Sequence, residues 1–200
     1  MPSGADPRGD EPRGADPGEV APRDDRPGEV DSGAARPGWY PPEMHPDLAP
    51  LSFLLGRWEG AGVVGYPTIE SANFGQEISF SHNGKPFLIY TSRTWLLDED
   101  GTIGRPLSTE SGYWRPQPDG VIELVLAHPT GIVEIYIGQQ TGTKIELATD
   151  AIARTSTAKE VTAGKRLYGL IGADLGWAYD MAAVGQPLQS HVSAQLKRVG

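Results

Sequence analysis

Cysteine is absent from the 200-residue sequence. Without thiols the chain cannot form disulfides, thiolate zinc sites, iron–sulfur clusters or a cysteine nucleophile. The sequence also lacks any apolar run near the roughly 18 residues that a membrane-spanning helix needs. Its N-terminus lacks the apolar segment of a secretory signal peptide. These absences predict a cytoplasmic protein that makes no membrane contact.

Basic residues are few and nowhere form a stripe. The net charge is −9, of which ten acidic residues and five arginines in residues 1–45 contribute −5. The rest of the chain is therefore only mildly acidic. A nucleic-acid-binding surface needs Lys and Arg side chains to neutralise phosphates. We therefore expect no nucleic-acid partner.

Large apolar side chains are almost missing from residues 1–45, which contain one Trp, one Tyr and no Phe, Leu or Ile. Proline recurs there at every fifth position from 2 to 27. A Pro-rich, charged segment of this kind cannot bury enough apolar surface to fold. The sequence predicts a disordered Pro/Gly/acid-rich tail over residues 1–45. A single domain, residues 46–200, follows and is long enough to form a core.

The domain begins with a helical pattern and continues with strand patterns. Leu48, Leu51 and Leu55 would share one face of a short helix that Asp47 caps and Gly56 ends. Ten short runs rich in Val, Ile, Thr, Tyr and Trp follow, each bounded by turn-forming residues. They cover residues 57–64, 74–81, 87–97, 109–115, 121–127, 131–138, 143–149, 166–172, 176–183 and 190–198. Residues 151–158 are either a further strand or a link.

The connections between these runs are short, and short connections join neighbouring antiparallel strands. An up-and-down sheet of about ten strands avoids exposed edges by closing on itself. The fold class predicted is therefore all-β, a ten-stranded antiparallel up-and-down β-barrel with a short N-terminal helix. A barrel of this size encloses room for a small ligand. A two-sheet sandwich is the alternative.

Residue patterns typical of enzymes are scarce. The sequence contains no GxSxG, no HExxH, no phosphate-binding loop and no dinucleotide fingerprint. Glu123, Glu134 and Glu146 lie in the middle of three consecutive runs. We interpret them as the solvent face of a half-buried sheet. A row of carboxylates lining a polar pocket is the alternative.

One of the four histidines differs from the others. Three are predicted in the linker or in turns: His45, His82 and His128. His191 instead begins the last run, where the alternation of a strand places it on the same face as Ser193 and Gln195. This pattern alone indicates a polar, solvent-facing side chain. A barrel with a polar-lined ligand cavity would reverse that interpretation.

Gly56, Trp58, Gly60 and Gly62 form a GxWxGxG motif directly after the predicted helix. Lipocalins and fatty-acid-binding proteins also open with Gly-x-Trp. In such barrels the Trp fills one end, and the glycines allow close approach of the backbone. The motif therefore supports the barrel, but it is shared by several families.

Further segments follow in a fixed order: Tyr66-Pro67-Thr68, SHNGKPF from residue 81, ESGYWR from residue 110, HPTG from residue 128, ARTS from residue 153 with Ala158-Lys159, and HVSAQLKR from residue 191. Together with the GxWxGxG motif they resemble the nitrobindins, which are ferric-haem β-barrels related in shape to fatty-acid-binding proteins. The resemblance covers residues 48–199 and leaves out the tail.

The resemblance implies a non-covalent haem b, one per chain, with His191 as the axial iron ligand. It implies that Thr68 lies near the haem and that Lys159 lies where a cation would meet a haem propionate. A homodimer is also implied. No side chain at these positions departs from the family pattern.

The activity that the resemblance implies is isomerisation of peroxynitrite to nitrate, together with reversible binding of nitric oxide. Ferric iron would carry out this chemistry, and the protein would supply ligation, access and a local field. Such a role agrees with the scarcity of catalytic patterns. A carrier barrel for a fatty acid or another small apolar ligand, with His191 incidental, is one alternative. A sensor that binds nitric oxide or haem without turnover is another.

Overall fold

The structure is a computed structural model that describes residues 42–199. The predicted disordered tail therefore lies almost entirely outside the described residues. A 3-10 helix, Pro46–Leu54, is followed by ten strands. The strands are β1 Gly56–Tyr66, β2 Ile69–Ser81, β3 Leu88–Leu97, β4 Ile103–Pro116, β5 Val121–His128, β6 Ile132–Thr141, β7 Lys144–Arg154, β8 Val161–Ile171, β9 Asp174–Ala183 and β10 Gln189–Val199.

Every strand pairs with its neighbours in sequence, and β1 pairs antiparallel with β10. The β1–β10 ladder runs from Arg57 opposite Val199 to Val64 opposite Val192. This ladder closes the sheet, so that every strand has a paired neighbour on each side. The ten-stranded antiparallel barrel is confirmed, and the two-sheet sandwich is wrong. No helix within residues 42–199 is long and apolar enough to span a membrane.

The N-terminal helix differs from the prediction in type and in its cap. Leu48, Leu51 and Leu54, not Leu55, are the fully buried leucines. This spacing of three is that of a 3-10 helix, which has three residues per turn. His45 caps the helix, because its Nδ1 accepts a hydrogen bond from the backbone N–H of Asp47 at 3.3 Å. The helix packs into the core and covers one end of the barrel.

The Trp of the GxWxGxG motif joins the helix to the barrel. Trp58 is 1 % exposed, and its Nε1 donates to the carbonyl of Leu54 at 2.7 Å. The guanidinium of Arg198, on β10, lies 4.2 Å from the centre of the Trp58 ring. Arg198 also donates to the carbonyl of Phe53 at 2.6 Å. The first and last strands are thus tied to the covering helix.

Two glycines of the motif allow the barrel to close. A Cβ atom on Gly60 would lie 2.2 Å from the carbonyl oxygen of Gln195. A Cβ atom on Gly62 would lie 2.2 Å from that of Ser193. Both contacts are with the backbone of β10, which cannot move without opening the ladder. Glycine is therefore required at these positions by the close approach of two strands.

The end of the barrel opposite the helix is more open. The connections β1–β2, β3–β4, β5–β6, β7–β8 and β9–β10 lie at this end. Residues 103–109 of β4, which start there, are exposed on both faces except at Gly104. The β7–β8 ladder covers only residues 145–148 of β7, so these two strands part towards the same end. We call this the open end.

Candidate functional site

The three residues expected around a haem lie at the open end. Thr68 lies in the β1–β2 turn, Lys159 in the β7–β8 connection and His191 near the start of β10. Thr68 and Lys159 are exposed, whereas His191 is partly buried. The backbone N–H of Val184, in the β9–β10 turn, donates to the carbonyl of Glu160 at 3.1 Å. This bond brings the loop of Lys159 beside the turn that leads to His191.

A β-bulge sets the direction of His191. The β9–β10 register shifts between Ser190 and Val192, so His191 has no partner residue in this ladder. His191 and Val192 are both partly buried, although they are consecutive in the strand. A bulge re-aims a side chain that strict alternation would place on the other face. The solvent-facing interpretation of His191 from alternation is therefore wrong.

The imidazole of His191 is held by one hydrogen bond and two aromatic rings. Its Nδ1 lies 2.9 Å from the carbonyl oxygen of Gly65. A carbonyl only accepts, so Nδ1 is the donor, and in a neutral imidazole with this tautomer Nε2 is the atom with the free lone pair. The ring makes edge contacts with Tyr66 and Tyr179, at centroid distances of 5.3 Å and 5.9 Å.

Tyr66 is itself fixed by the backbone of β9. Its hydroxyl accepts a hydrogen bond from the N–H of Ala183 at 2.9 Å and lies 3.1 Å from the carbonyl of Met181, to which it donates. The side chain is 7 % exposed. Tyr66 therefore ties the last residue of β1 to β9 and forms a rigid wall beside His191.

A buried ion pair lies inside the barrel. The guanidinium of Arg166, on β8, donates to both carboxylate oxygens of Glu110, on β4, at 2.7 Å and 3.0 Å. Arg166 is 2 % exposed. Tyr90 donates to the same carboxylate at 3.0 Å. Two parallel hydrogen bonds between guanidinium and carboxylate give the pair both strength and a fixed geometry.

A second carboxylate extends this pair towards His191. Glu134, on β6, is 1 % exposed, and its Oε2 lies 2.9 Å from Nε2 of His128. Its Oε1 accepts a hydrogen bond from the hydroxyl of Tyr179 at 3.2 Å. Arg166 lies 3.6 Å from the same carboxylate and 4.5 Å from the centre of the Tyr179 ring. We call Glu110, Arg166, Glu134 and His128 the buried charge cluster.

The surroundings of both carboxylates of the cluster lower their pKa values and so favour the ionised form. Burial by itself would raise the pKa of Glu110, but the charge and hydrogen bonds of Arg166 outweigh it and lower that pKa. Burial likewise opposes ionisation of Glu134, and the hydrogen bond from His128 with the charge of Arg166 lowers its pKa. Burial raises the pKa of Tyr179, so its hydroxyl keeps the proton that it donates to Glu134.

The row of glutamates on β5, β6 and β7 does not share one face. Glu123 pairs with Arg115 at 2.6 Å, and Glu146 pairs with Lys144 at 3.0 Å, both on the outside of the barrel. Glu134 points inwards instead. The solvent-face interpretation holds for two of the three and is wrong for Glu134.

Sequence reasoning missed Tyr66, Tyr179 and Arg166 as parts of the site. The inward carboxylate lies on β6, where Val133 and Ile135 are 41 % and 38 % exposed and the intervening Glu134 is buried. Apolar residues outside and a carboxylate inside reverse the usual pattern of a half-exposed strand. Nothing in the sequence distinguishes this strand from an ordinary one with the opposite orientation.

Fold and site together define a closed β-barrel with an oriented histidine at its open end. The family model that matches the chain, over residues 47–198, is the THAP4-like, heme-binding beta-barrel domain. The chain belongs to this family, which confirms the resemblance to the nitrobindins.

Named relatives and a solved structure agree with this assignment. A ferric nitrobindin-like protein of Kineococcus radiotolerans is 52% identical over 167 residues, 76% of this chain and 93% of its own. A peroxynitrite isomerase of Nocardioides sp. is 50% identical over 158 residues, 79% of this chain and 96% of its own. The crystal structure of Rv2717c from M. tuberculosis is 45% identical with a TM-score of 0.72, and the match covers 79% of this chain and 100% of that one.

Proposed function

We propose that this chain binds ferric haem b, one per chain, through Nε2 of His191, and isomerises peroxynitrite to nitrate. Reversible binding of nitric oxide would accompany this activity. The observation that supports the proposal most directly is the 2.9 Å contact from Nδ1 of His191 to the carbonyl of Gly65. Relatives about half identical in sequence are named peroxynitrite isomerase.

The residues at the open end fit a haem. An axial histidine in proteins uses one ring nitrogen for the metal and donates its other N–H to a carbonyl or carboxylate, which fixes the tautomer and the ring orientation. The carbonyl of Gly65 is such a partner for His191. The partly buried imidazole is also in contact with two mostly buried tyrosines, which limit the access of water to this side of the ring.

Haem would supply the chemistry, namely a ferric iron that acts as a Lewis acid. The chain would supply the imidazole of His191, which the carbonyl of Gly65 and two tyrosine rings hold in place. Lys159 carries a positive charge at the rim, where it would pair with a haem propionate. Thr68 would contact the haem from the β1–β2 turn, three residues from the carbonyl of Gly65 that orients His191.

Hemin titration tests the haem site. The purified protein is expected to bind one equivalent of hemin, with a Soret band that shifts when nitric oxide is added. His191→Ala should abolish stoichiometric binding. His82→Ala is the matched control, since His82 lies in the β2–β3 turn at the other end of the barrel, where its Nδ1 accepts a hydrogen bond from the backbone N–H of Gly84 at 3.4 Å. A normal haem affinity and spectrum in His191→Ala would overturn the assignment of the ligand.

Stopped-flow decay of peroxynitrite tests the activity. The loaded protein should accelerate decay to nitrate beyond free hemin at equal concentration. Binding of haem and nitric oxide without such acceleration would indicate a sensor and contradict the isomerase. A colourless protein that takes up no hemin but co-purifies with lipid would indicate the carrier barrel.

A further inference from the structure

Tyr179 connects His191 to the buried charge cluster. Its ring and the imidazole make an edge contact, with a centroid distance of 5.9 Å and an interplanar angle of 62°. Its hydroxyl donates to Oε1 of Glu134 at 3.2 Å. Tyr179 lies on β9, the strand beside the bulge that holds His191. The contact therefore lies between a candidate iron ligand and a residue anchored in the barrel interior.

The ring of Tyr179 is restrained by three further features. The guanidinium of Arg166 lies 4.5 Å from the ring centre, which adds a cation–π attraction on its face. The backbone of β8 packs closely against the ring at Gly164, where a Cβ atom would lie only 2.8 Å from Cε2 of Tyr179. The side chain is 8 % exposed, so water has little access to it.

The anchor of Tyr179 is stiff as well. Glu134 is held by Nε2 of His128 at 2.9 Å, and Arg166 lies 3.6 Å from the same carboxylate oxygen. Arg166 in turn is fixed by its two hydrogen bonds to Glu110. A hydrogen bond to a charged acceptor is roughly twice as strong as a neutral one. The orientation of Tyr179 is thus set by residues of β8, which neighbours β9, and of β4 and β6, which lie across the barrel interior from β10.

From this chain of contacts we propose that Tyr179 is a positioning residue for His191, and that Glu134 anchors it through their hydrogen bond. Gly65 fixes which nitrogen of His191 carries the proton, and Tyr66 and Tyr179 fix the plane of the ring. An effect of Tyr179 on haem affinity rests on the proposed function. An effect of Tyr179 on the orientation of the His191 imidazole does not, because it can be measured without haem.

The first test compares Tyr179→Phe with Tyr113→Phe. Tyr179→Phe keeps the ring and removes its anchor, so the side-chain NMR signals of His191 in the haem-free protein should broaden or split. Haem should bind about tenfold more weakly, the lower end of the effect of losing a partner that orients a metal ligand. Tyr113 is 50 % exposed and packs on Phe87 outside the barrel, so Tyr113→Phe should change neither quantity.

Two further variants separate positioning from general stability. Glu134→Gln keeps an oxygen that accepts from Tyr179, so the His191 signals should stay as in the unsubstituted protein even if the melting temperature falls. Gly164→Ala removes no hydrogen-bonding group, but its Cβ would lie 2.8 Å from both Cε2 of Tyr179 and the hydroxyl of Tyr136, so the Tyr179 ring should move and the His191 signals should shift.

The proposal is overturned if folded Tyr179→Phe shows unchanged His191 signals and unchanged haem affinity. If Tyr179→Phe does not fold, unchanged His191 signals in Gly164→Ala overturn it. Should His191→Ala bind haem normally, the ligand assignment fails, and the haem-free NMR comparison still decides whether Tyr179 orients the imidazole.

Discussion

Arg166 donates two hydrogen bonds to the carboxylate of Glu110, and the substitution Arg166→Met removes both of them together with the positive charge. Methionine replaces the aliphatic part of the arginine side chain but carries no guanidinium, so it leaves the Glu110 carboxylate, whose side chain is 12 % exposed, without its charged partner. Breaking a buried ion pair from one side costs about 3–5 kcal/mol. Domains of this kind are stable by only about 5–15 kcal/mol. The loss at neutral pH should therefore be a large part of the total.

The pH dependence of this loss has a definite sign. In the unsubstituted protein the pKa of Glu110 is lowered, so its contribution is present above the unfolded value of about 4.3 and is lost as the pH falls through the lowered pKa. In Arg166→Met, burial raises the pKa of Glu110 with no guanidinium to oppose it. The variant should therefore become more stable as the pH falls from 7 to 5, while the unsubstituted protein does not.

Urea denaturation at pH 7 and pH 5 measures both effects. With a slope near 2 kcal/mol per molar urea, a loss of about 3–5 kcal/mol lowers the midpoint by roughly 1.5–2.5 M. Arg115→Met is the matched control, because Arg115 pairs with Glu123 at 2.6 Å but is 54 % exposed. An exposed pair of this kind contributes about 0–1 kcal/mol. A loss in Arg166→Met as small as that of the control, or the same response to pH as the unsubstituted protein, would refute the reasoning.

Three smaller predictions concern the β1–β10 seam and the open end. Gly60→Ala should destabilise the barrel by at least about 1–3 kcal/mol in thermal unfolding, because the added methyl meets the β10 backbone at 2.2 Å. Gly169→Ala should be tolerated, because its Cβ would lie 3.6 Å or more from its neighbours. Tyr66→Phe leaves the N–H of Ala183 without its 2.9 Å acceptor and should cost about 1–3 kcal/mol; an unchanged melting temperature would contradict this. Lys159→Ala should weaken haem binding several-fold at low salt, with the difference shrinking at high salt and the spectrum unchanged.

The number of strands and their order are predictable from the sequence, but several strand bounds are not. The predicted runs at 109–115 and 166–172 begin six and five residues after β4 and β8 do in the structure. Both missing stretches lie at the open end, where residues of β4 are exposed on both faces. Alternation of apolar and polar residues reports a strand only where one face is buried. On β4 the solvated barrel mouth therefore hides the start of the strand from a sequence-based prediction.

The polar interior is hidden for a different reason. Periodicity assigns residues to two faces but does not say which face is inside, and the usual rule places the apolar face inwards. On β6 that rule fails at Glu134, because a guanidinium and an imidazole from other strands compensate its burial. Arg166 and Glu110 are 56 positions apart in sequence. Such compensation depends on contacts between distant strands, which no local pattern contains.

His191 shows the limit most clearly, since a single inserted residue decides its role. Strict alternation along β10 would place His191 on the same face as the exposed Ser193 and Gln195. Because His191 has no partner in the ladder with β9, it lies instead on the partly buried side with Val192. A bulge adds one residue to a strand, so the alternation of inward and outward side chains shifts by one position there. Alternation counted from the residues after the bulge therefore predicts the wrong face for the residues before it. The family resemblance indicates an inward His191 because it compares whole motifs, whereas the physical cause becomes visible only in the register of β10 against β9. The bulge therefore turns an apparent surface histidine into one that two tyrosines and a backbone carbonyl hold in a single orientation.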